Sequence, residues 1–166
     1  MASDLHIEQV ENVITLTKDY DTTKGVLFSM FSNPEQLTKW WGPGNWPAGS
    51  VSFDFREGGV WHYFMTGPDD AKVWGKATFQ EIDVPNSLSF TDAFSDADGT
   101  VDDSLPVGYT TFRFVEENAG VTTLTMTSRY DTVEQANEVV KMGMLEGMKD
   151  TWTQLEQLVK NRSVTL

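Results

Sequence analysis

Apolar and polar residues alternate with a period of two along most of the chain, and this pattern predicts a β-sheet. In the first such segment, Ile14 and Leu16 form one face and Val13, Thr15 and Thr17 form the other. Six more alternating segments follow residue 48, separated by turn-forming residues such as Glu57-Gly58-Gly59. The seven predicted strands cover residues 10–20, 49–56, 60–66, 72–84, 88–94, 108–116 and 121–130.

Two segments have the helical period instead. Between the first and second strands, residues 23–31 carry apolar side chains at helical spacing, and a second short helix follows with Asn33 as its cap and Pro34 as its first residue. The chain ends in a predicted long helix that starts at Asp131 or Thr132 and runs to about residue 161. Its apolar stripe consists of Leu145, Met148, Trp152, Leu155 and Val159.

These elements predict an α+β domain with a helix-grip architecture. A seven-stranded, curved antiparallel sheet surrounds the long C-terminal helix, and the two short helices connect strands 1 and 2. We expect one domain over residues 1–166, with a core from about residue 10 to residue 161, because no linker or repeat divides the chain.

The widths of these elements predict a cavity. Seven strands spaced about 4.8 Å apart span nearly 30 Å, whereas a helix with its side chains is about 10–12 Å wide. The remaining space is filled either by the protein's own large side chains or by a ligand. We predict that a ligand contacts the inward-facing residues Trp41, Trp46, Phe53, Phe55, Trp61, Tyr63, Met65, Trp74, Phe90, Asp92, Phe94, Phe112, Met126, Leu145, Met148 and Trp152.

Among the polar residues, Asp92 has the same strand parity as Leu88, Phe90 and Phe94, so it is predicted to face inward. A buried carboxyl there would have a raised pKa. Glu81, Tyr109 and Arg113 are further candidates for orienting a ligand, while His62 is predicted to point away from Trp61 and Tyr63. Asp54, Arg56 and Glu57 are interpreted as a solvated strand face. Gly143 and Gly147 suggest close packing or a hinge in the long helix.

Charge and composition narrow the possible partners. With 12 Lys and Arg against 25 Asp and Glu, the net charge is −13, which disfavours nucleic acids and anionic membranes. The chain has no cysteine and two histidines, so we expect no disulfide, no zinc site and no cofactor. The N-terminus does not resemble a signal peptide, and we expect a cytoplasmic monomer or homodimer that binds a small apolar or aromatic molecule.

Several motifs together resemble one protein family. They are Ser32-Asn33-Pro34-Glu35-Gln36-Leu37, Trp40-Trp41-Gly42-Pro43, the run Phe53-Asp54-Phe55-Arg56-Glu57-Gly58-Gly59, Gly75 with Phe79-x-Glu81-Ile82, Leu88-x-Phe90-Thr91, and Gly143-Met144-x-Glu146-Gly147-Met148. The chain is similar to the family named after the activator of the ninety-kilodalton heat-shock protein ATPase. That family often has Trp where Met148 stands, which suggests a reshaped end of the pocket.

The resemblance implies membership of the superfamily of START-related, polyketide-cyclase and birch-pollen-allergen-like proteins (SRPBCC), whose fold agrees with the predicted elements. Its members include ligand carriers, cyclases and a co-chaperone, so the fold implies no single activity. The leading hypothesis is ligand binding without catalysis. One alternative is a cyclase-like or hydrolase-like enzyme that uses a buried carboxylate or tyrosine, and another is a chaperone-associated interaction module.

Overall fold

The computed structural model describes the backbone of residues 4–164 and the side chains of residues 4–161. The described chain forms one antiparallel sheet in the order β1-β2-β8-β7-β6-β5-β4-β3. The strands are β1 His6–Val10, β2 Val13–Tyr20, β3 Ala48–Phe53, β4 Val60–Thr66, β5 Lys72–Asp83, β6 Ser87–Ser95, β7 Gly108–Asn118 and β8 Val121–Arg129. The α+β helix-grip fold predicted from the sequence is confirmed.

The described sheet has eight strands rather than the predicted seven. The first predicted strand covered residues 10–20 without a break, but the chain reverses at Glu11, which has a left-handed φ of 55°. Val10 and Val13 pair directly across this turn, so residues 6–10 return as an additional edge strand beside β2. Neither Glu11 nor Asn12 is a glycine, the residue that usually indicates such a turn. Asparagine and acidic residues rank next after glycine in their tolerance of a left-handed φ.

The two short helices have the predicted positions and caps. Helix α1 covers Lys24–Ser32 and α2 covers Pro34–Trp40. The Asn33 side chain accepts a hydrogen bond from the backbone N–H of Glu35, and Pro34 occupies the first turn of α2, as the sequence predicted. Between β4 and β5 the chain forms a short 3₁₀ turn at Pro68–Asp70.

The C-terminal helix is interrupted, in contrast to the continuous helix predicted over residues 131–161. Helix α3 covers Val133–Lys141 and α4 covers Met144–Val164. The interruption is at Gly143, whose φ of 93° lies in the left-handed region that ends helices. The start was predicted correctly, since the Thr132 side chain caps α3 by accepting a hydrogen bond from the backbone N–H of Gln135.

Aromatic side chains fill one end of the space between the sheet and the helices. The ring of Phe31 on α1 lies 4.8 Å from Phe112 and 5.1 Å from Phe114, measured between ring centroids. The ring of Phe28 similarly contacts Phe55 at 6.1 Å. Helix α1 therefore covers this end of the sheet.

Candidate functional site

A cavity of about 470 Å³ lies between the concave face of the sheet and the helices α3 and α4. This volume falls within the range of about 300–1,000 Å³ that is typical of small-molecule sites. Its walls are formed by Trp41, Gly42, Pro43, Trp46, Tyr63, Met65, Val73, Trp74, Gly75, Phe90, Asp92, Ala93, Phe94, Pro106, Gly108, Thr110, Phe112, Met126, Ser128, Tyr130, Val139, Met142, Gly143, Met144, Gly147, Met148 and Thr151.

Small residues on the neighbouring strands leave space around Asp92. On β6, Asp92 pairs with Ala77 of β5 on one side and with Gly108 of β7 on the other. Gly75, the next inward-facing residue of β5, pairs with Tyr63 of β4. A Cβ atom on Gly75 would overlap the Tyr63 ring, and one on Gly108 would come within 3.3 Å of the Tyr130 ring. These glycines let both tyrosines lie close to the sheet surface.

Asp92 is the charged residue of the cavity wall. Its Oδ1 accepts a hydrogen bond of 2.8 Å from the Tyr63 hydroxyl. Removal from water raises the pKa of Asp92 from 3.8 to about 6, although the Tyr63 hydrogen bond partly opposes this shift. The carboxyl group therefore changes its charge within the range of ordinary buffers.

Two tyrosines near Asp92 remain neutral over that range. Burial raises the pKa of Tyr63 well above its usual value, and the neighbouring Asp92 charge raises it further. Burial and the same charge raise the pKa of Tyr130 to about 12. Both phenols are consequently hydrogen-bonding groups rather than bases, and Asp92 is the group beside them that titrates near neutral pH.

A second polar position on the wall is a pair of hydroxyl groups. The Thr110 Oγ1 and Ser128 Oγ atoms lie 2.9 Å apart across β7 and β8, and both residues are buried. Either hydroxyl can donate to the other, so the pair satisfies itself and can still offer lone pairs to a ligand. The remainder of the wall is mainly aromatic, aliphatic and thioether side chains.

The break between α3 and α4 lies at the mouth of the cavity. Met142, Gly143 and Met144 all line it, and the Met142 side chain is half exposed. Gly147 and Met148 continue this edge along α4. Methionine side chains adapt to differently shaped neighbours, so this edge suits the passage of a small molecule.

The structure brings most of the predicted site residues together around one cavity. Those that line it are Trp41, Trp46, Tyr63, Met65, Trp74, Phe90, Asp92, Phe94, Phe112, Met126 and Met148. Their role in ligand binding remains a prediction. Trp74 borders the cavity, but its ring packs against His62 and Phe64 on the opposite face of the sheet, at 5.5 and 5.1 Å between centroids. The inward orientation predicted for the Trp74 ring is therefore wrong.

Five predicted residues, Phe53, Phe55, Trp61, Leu145 and Trp152, lie outside the cavity wall. The rings of Phe53 and Phe55 stack 5.8 Å apart, and each contacts Phe79, so they belong to the aromatic end of the core. Trp61 stacks directly on Tyr63 at 4.2 Å and supports that ring from the side.

The two helical residues of this group face other parts of the protein. Trp152 is buried against Tyr20, with 6.3 Å between the ring centroids, because α4 carries it toward β2 rather than over the cavity. Leu145 packs against the core from a partly buried position. The predicted apolar stripe assumed one continuous helix. Because the helix is broken at Gly143, that stripe does not correctly identify the residues that face the cavity.

Sequence reasoning missed several cavity residues, among them Tyr130, Thr110, Ser128, Gly75 and Gly108. Strand alternation could have found Tyr130 and Ser128, since both share the parity of Met126. Three other polar candidates, Glu81, Tyr109 and Arg113, lie on the outer face of the sheet, where Arg129 covers the Tyr109 ring at 4.5 Å. His62 also points outward, and its Nε2 lies 3.1 Å from the backbone oxygen of Asp96.

The described residues include neither a cluster of metal ligands nor a helix that could span a membrane. No group of three or more histidine, cysteine, aspartate and glutamate side chains among residues 4–161 is arranged to bind a metal ion. Within residues 4–164, no helix combines the length and apolar character that crossing a membrane requires. Asp54 and Arg56, which were interpreted as solvated, form an exposed ion pair with 2.7 Å between Oδ2 and Nε.

Solved structures similar to this one come from several bacteria. A protein from Arthrobacter aurescens has 29% sequence identity and a TM-score of 0.90, and the match covers 96% of this chain and 93% of that one. A protein from Mycobacterium smegmatis has 33% identity and a TM-score of 0.84, with 95% and 96% covered. One from Staphylococcus epidermidis has 28% identity and a TM-score of 0.82, with 94% of each chain covered. No curated protein matches the chain.

The family model described as "Activator of Hsp90 ATPase homolog 1-like protein" matches residues 21–160. This range includes both short helices, the strands β3 to β8 and nearly all of the C-terminal helices. It also contains every residue of the cavity wall. The chain therefore belongs to the family of activator of Hsp90 ATPase homolog 1-like proteins.

Proposed function

We propose that this protein binds a small, largely apolar molecule in the cavity between the sheet and the helices α3 and α4. The observation that supports this proposal is an apolar, aromatic-lined space of about 470 Å³ with a few polar groups on its wall. Apolar ligands gain free energy by leaving water, while Asp92, Tyr63 and the Thr110–Ser128 pair can orient them.

A neutral fluorescent probe tests this proposal. N-phenyl-1-naphthylamine becomes more fluorescent in apolar surroundings, and we expect it to bind the purified protein. Met148→Trp should weaken this binding at least about tenfold, or about 1.4 kcal/mol, because an indole from α4 occupies part of the space. Fluorescence titration of both proteins measures the change.

Val115→Trp is the matched control, because it adds the same side chain at an exposed position of β7 outside the cavity. This variant should bind the probe like the wild type. Failure of the wild type to bind the probe, or equal weakening by both substitutions, would contradict a ligand site in this cavity.

A second candidate function is acid-base catalysis, which the position of Asp92 favours. Its carboxylate faces an apolar space, where a base is stronger than in water, and its pKa of about 6 suits proton transfer near neutral pH. Tyr63 holds the carboxyl group in place through its hydrogen bond to Oδ1. A substrate with an acidic C–H bond could then lose a proton to the carboxylate.

The elimination of 5-nitrobenzisoxazole detects such a base directly. The carboxylate takes the proton from C3, the C–H electron pair completes a nitrile, and the N–O bond breaks to release a phenolate. We expect a protein-dependent rate that falls at lower pH with a midpoint of about 6. Asp92→Asn should lower this rate about 100-fold or more, whereas Asp83→Asn, at an exposed site of β5, should not. Equal rates for these variants would contradict catalysis by Asp92.

A further inference from the structure

The charged group of the cavity wall has no cationic partner among the side chains that the structure describes. Of the wall residues, all of which lie in the described part of the chain, none is a lysine, an arginine or a histidine. The ion pairs of Lys18 and Lys160 with Glu156 and of Arg56 with Asp54 do not involve Asp92. A buried carboxylate without such a partner is costly unless another positive group compensates its charge.

One oxygen of Asp92 is available to pair with a positive group. Oδ1 accepts the Tyr63 hydroxyl, whereas Oδ2 has no hydrogen-bond partner among the described residues. Among the described residues, Oδ2 is not one of the fully enclosed polar atoms that lack a partner. This oxygen therefore remains accessible from the cavity. The strand neighbours Ala77 and Gly108 have no side-chain donors that could reach it.

The surroundings of this oxygen favour a positive ligand group. The indole rings of Trp41 and Trp46 line the same cavity, and ring faces attract cations, more strongly where water is excluded. The Trp41 ring contacts the Tyr63 ring at 6.2 Å between centroids, and the Tyr63 hydroxyl group binds the Asp92 carboxyl group. The protein's net charge of −13 also attracts cations and repels anions at long range.

Resting on the proposed function, we propose that the cavity selects organic cations: molecules with an aromatic or aliphatic body and one ammonium group that pairs with the free oxygen of Asp92. The apolar body occupies the space lined by Met126, Phe112 and Met148. An anionic ligand would place a second negative charge beside Asp92, and a neutral ligand would leave that charge uncompensated.

Three probes with the same body and different end groups test this inference. They are 4-phenylbutylamine, 4-phenylbutanol and 4-phenylbutanoate, and isothermal calorimetry at pH 8 measures their affinities. We expect the amine to bind at least tenfold more tightly than the alcohol, and the carboxylate to bind most weakly. Asp92→Asn should remove the advantage of the amine over the alcohol.

One further variant separates the effect of this carboxylate from a general effect of net charge. Asp83→Asn removes one negative charge at an exposed site of β5 and should retain the amine preference. Loss of the preference in Asp83→Asn would show that the overall charge of the protein causes it.

The preference should decrease as the pH falls from 8 to 5. Tyr63 and Tyr130 are the other titratable groups that face Asp92, and both stay neutral throughout this range. Protonation of Asp92 then removes the attraction for the amine, so the affinities of the amine and the alcohol should become similar.

The possible failures are distinguishable. If the naphthylamine probe binds but the amine and the alcohol bind equally at pH 8, the inference is overturned and the proposed function stands. A preference that survives in Asp92→Asn also overturns the inference. If neither the naphthylamine nor any of the three probes binds, both the proposed function and the inference are overturned.

Discussion

Asp92→Asn should raise the free energy of unfolding at pH 8 by up to about 3 kcal/mol, because the folded protein holds an ionised carboxyl group in a poorly solvated position. The pKa of Asp92 rises from 3.8 to about 6 on folding, and each pKa unit corresponds to about 1.4 kcal/mol. Asparagine keeps the shape and can still accept the hydrogen bond from Tyr63.

The sign of this effect depends on pH. Between about pH 4 and 6 the folded state binds the proton more tightly than the unfolded chain, so the contribution of Asp92 to stability decreases as the pH rises through this range. Above the folded pKa the penalty is complete and constant. The difference between Asp92→Asn and the wild type should therefore be largest at pH 8 and close to zero below pH 4.

Urea denaturation of both proteins from pH 4 to 8 measures this difference. Asp83→Asn is the matched control, since it makes the same chemical change at an exposed site of β5 and should alter stability little at any pH. An Asp92→Asn protein that is less stable than the wild type at pH 8 would mean that the ionised carboxylate is well compensated in the folded state.

Gly75→Ala is expected to destabilise the protein by about 1–3 kcal/mol, although it adds a single methyl group. The new Cβ would overlap the Tyr63 ring and lie 2.6 Å from its hydroxyl oxygen. The ring cannot move freely, because Trp61 stacks on it at 4.2 Å and Trp41 contacts it at 6.2 Å. The overlap must therefore be relieved by shifting strands or by displacing the tyrosine.

Displacement of Tyr63 has a second measurable consequence. Its hydroxyl group lowers the pKa of Asp92, so weakening the 2.8 Å hydrogen bond should raise that pKa above its wild-type value of about 6. Carbon-13 NMR titration of the Asp92 carboxyl group measures the shift, and urea denaturation measures the loss of stability.

Gly25→Ala provides the control, because a Cβ at that position in α1 meets no atom within 4 Å. Alanine is favoured over glycine in a helix, so Gly25→Ala should be neutral or stabilising by up to about 1 kcal/mol. Equal stability of Gly75→Ala and the wild type, with an unchanged pKa of Asp92, would show that the close approach of Tyr63 to Gly75 is not required.

Local patterns were sufficient to predict most of the elements. Alternation along the first strand grouped Ile14 and Leu16 on one face, and both are fully buried. The Asn33-Pro34 pair indicated the start of α2 because its capping geometry involves only neighbouring residues. The same local reasoning missed the turn at Glu11 and the helix break at Gly143. Glycine also occurs inside uninterrupted helices, so Gly143 did not by itself indicate a break.

The inward parity of Asp92 also followed from its own strand, since side chains alternate strictly unless a bulge intervenes. Its hydrogen bond with Tyr63 did not follow, because the two residues are 29 positions apart and meet only when β4, β5 and β6 pair in one register. The requirement for glycine at position 75 did not follow either, because it arises from the Tyr63 ring that packs against this residue in the folded protein.

Neighbouring residues were enough to indicate the family and the sheet-and-helix architecture, because motifs and apolar period are local features. The widths of the strands and the helix left a space that either side chains or a ligand could fill. The position of the open cavity is set by tertiary packing. Helix α1 brings Phe28 and Phe31 onto one end of the sheet, so Phe53 and Phe55 become core there, while Gly75, Ala77 and Gly108 leave the other end open around Asp92. Such a division depends on contacts between distant segments, which no single stretch of sequence encodes.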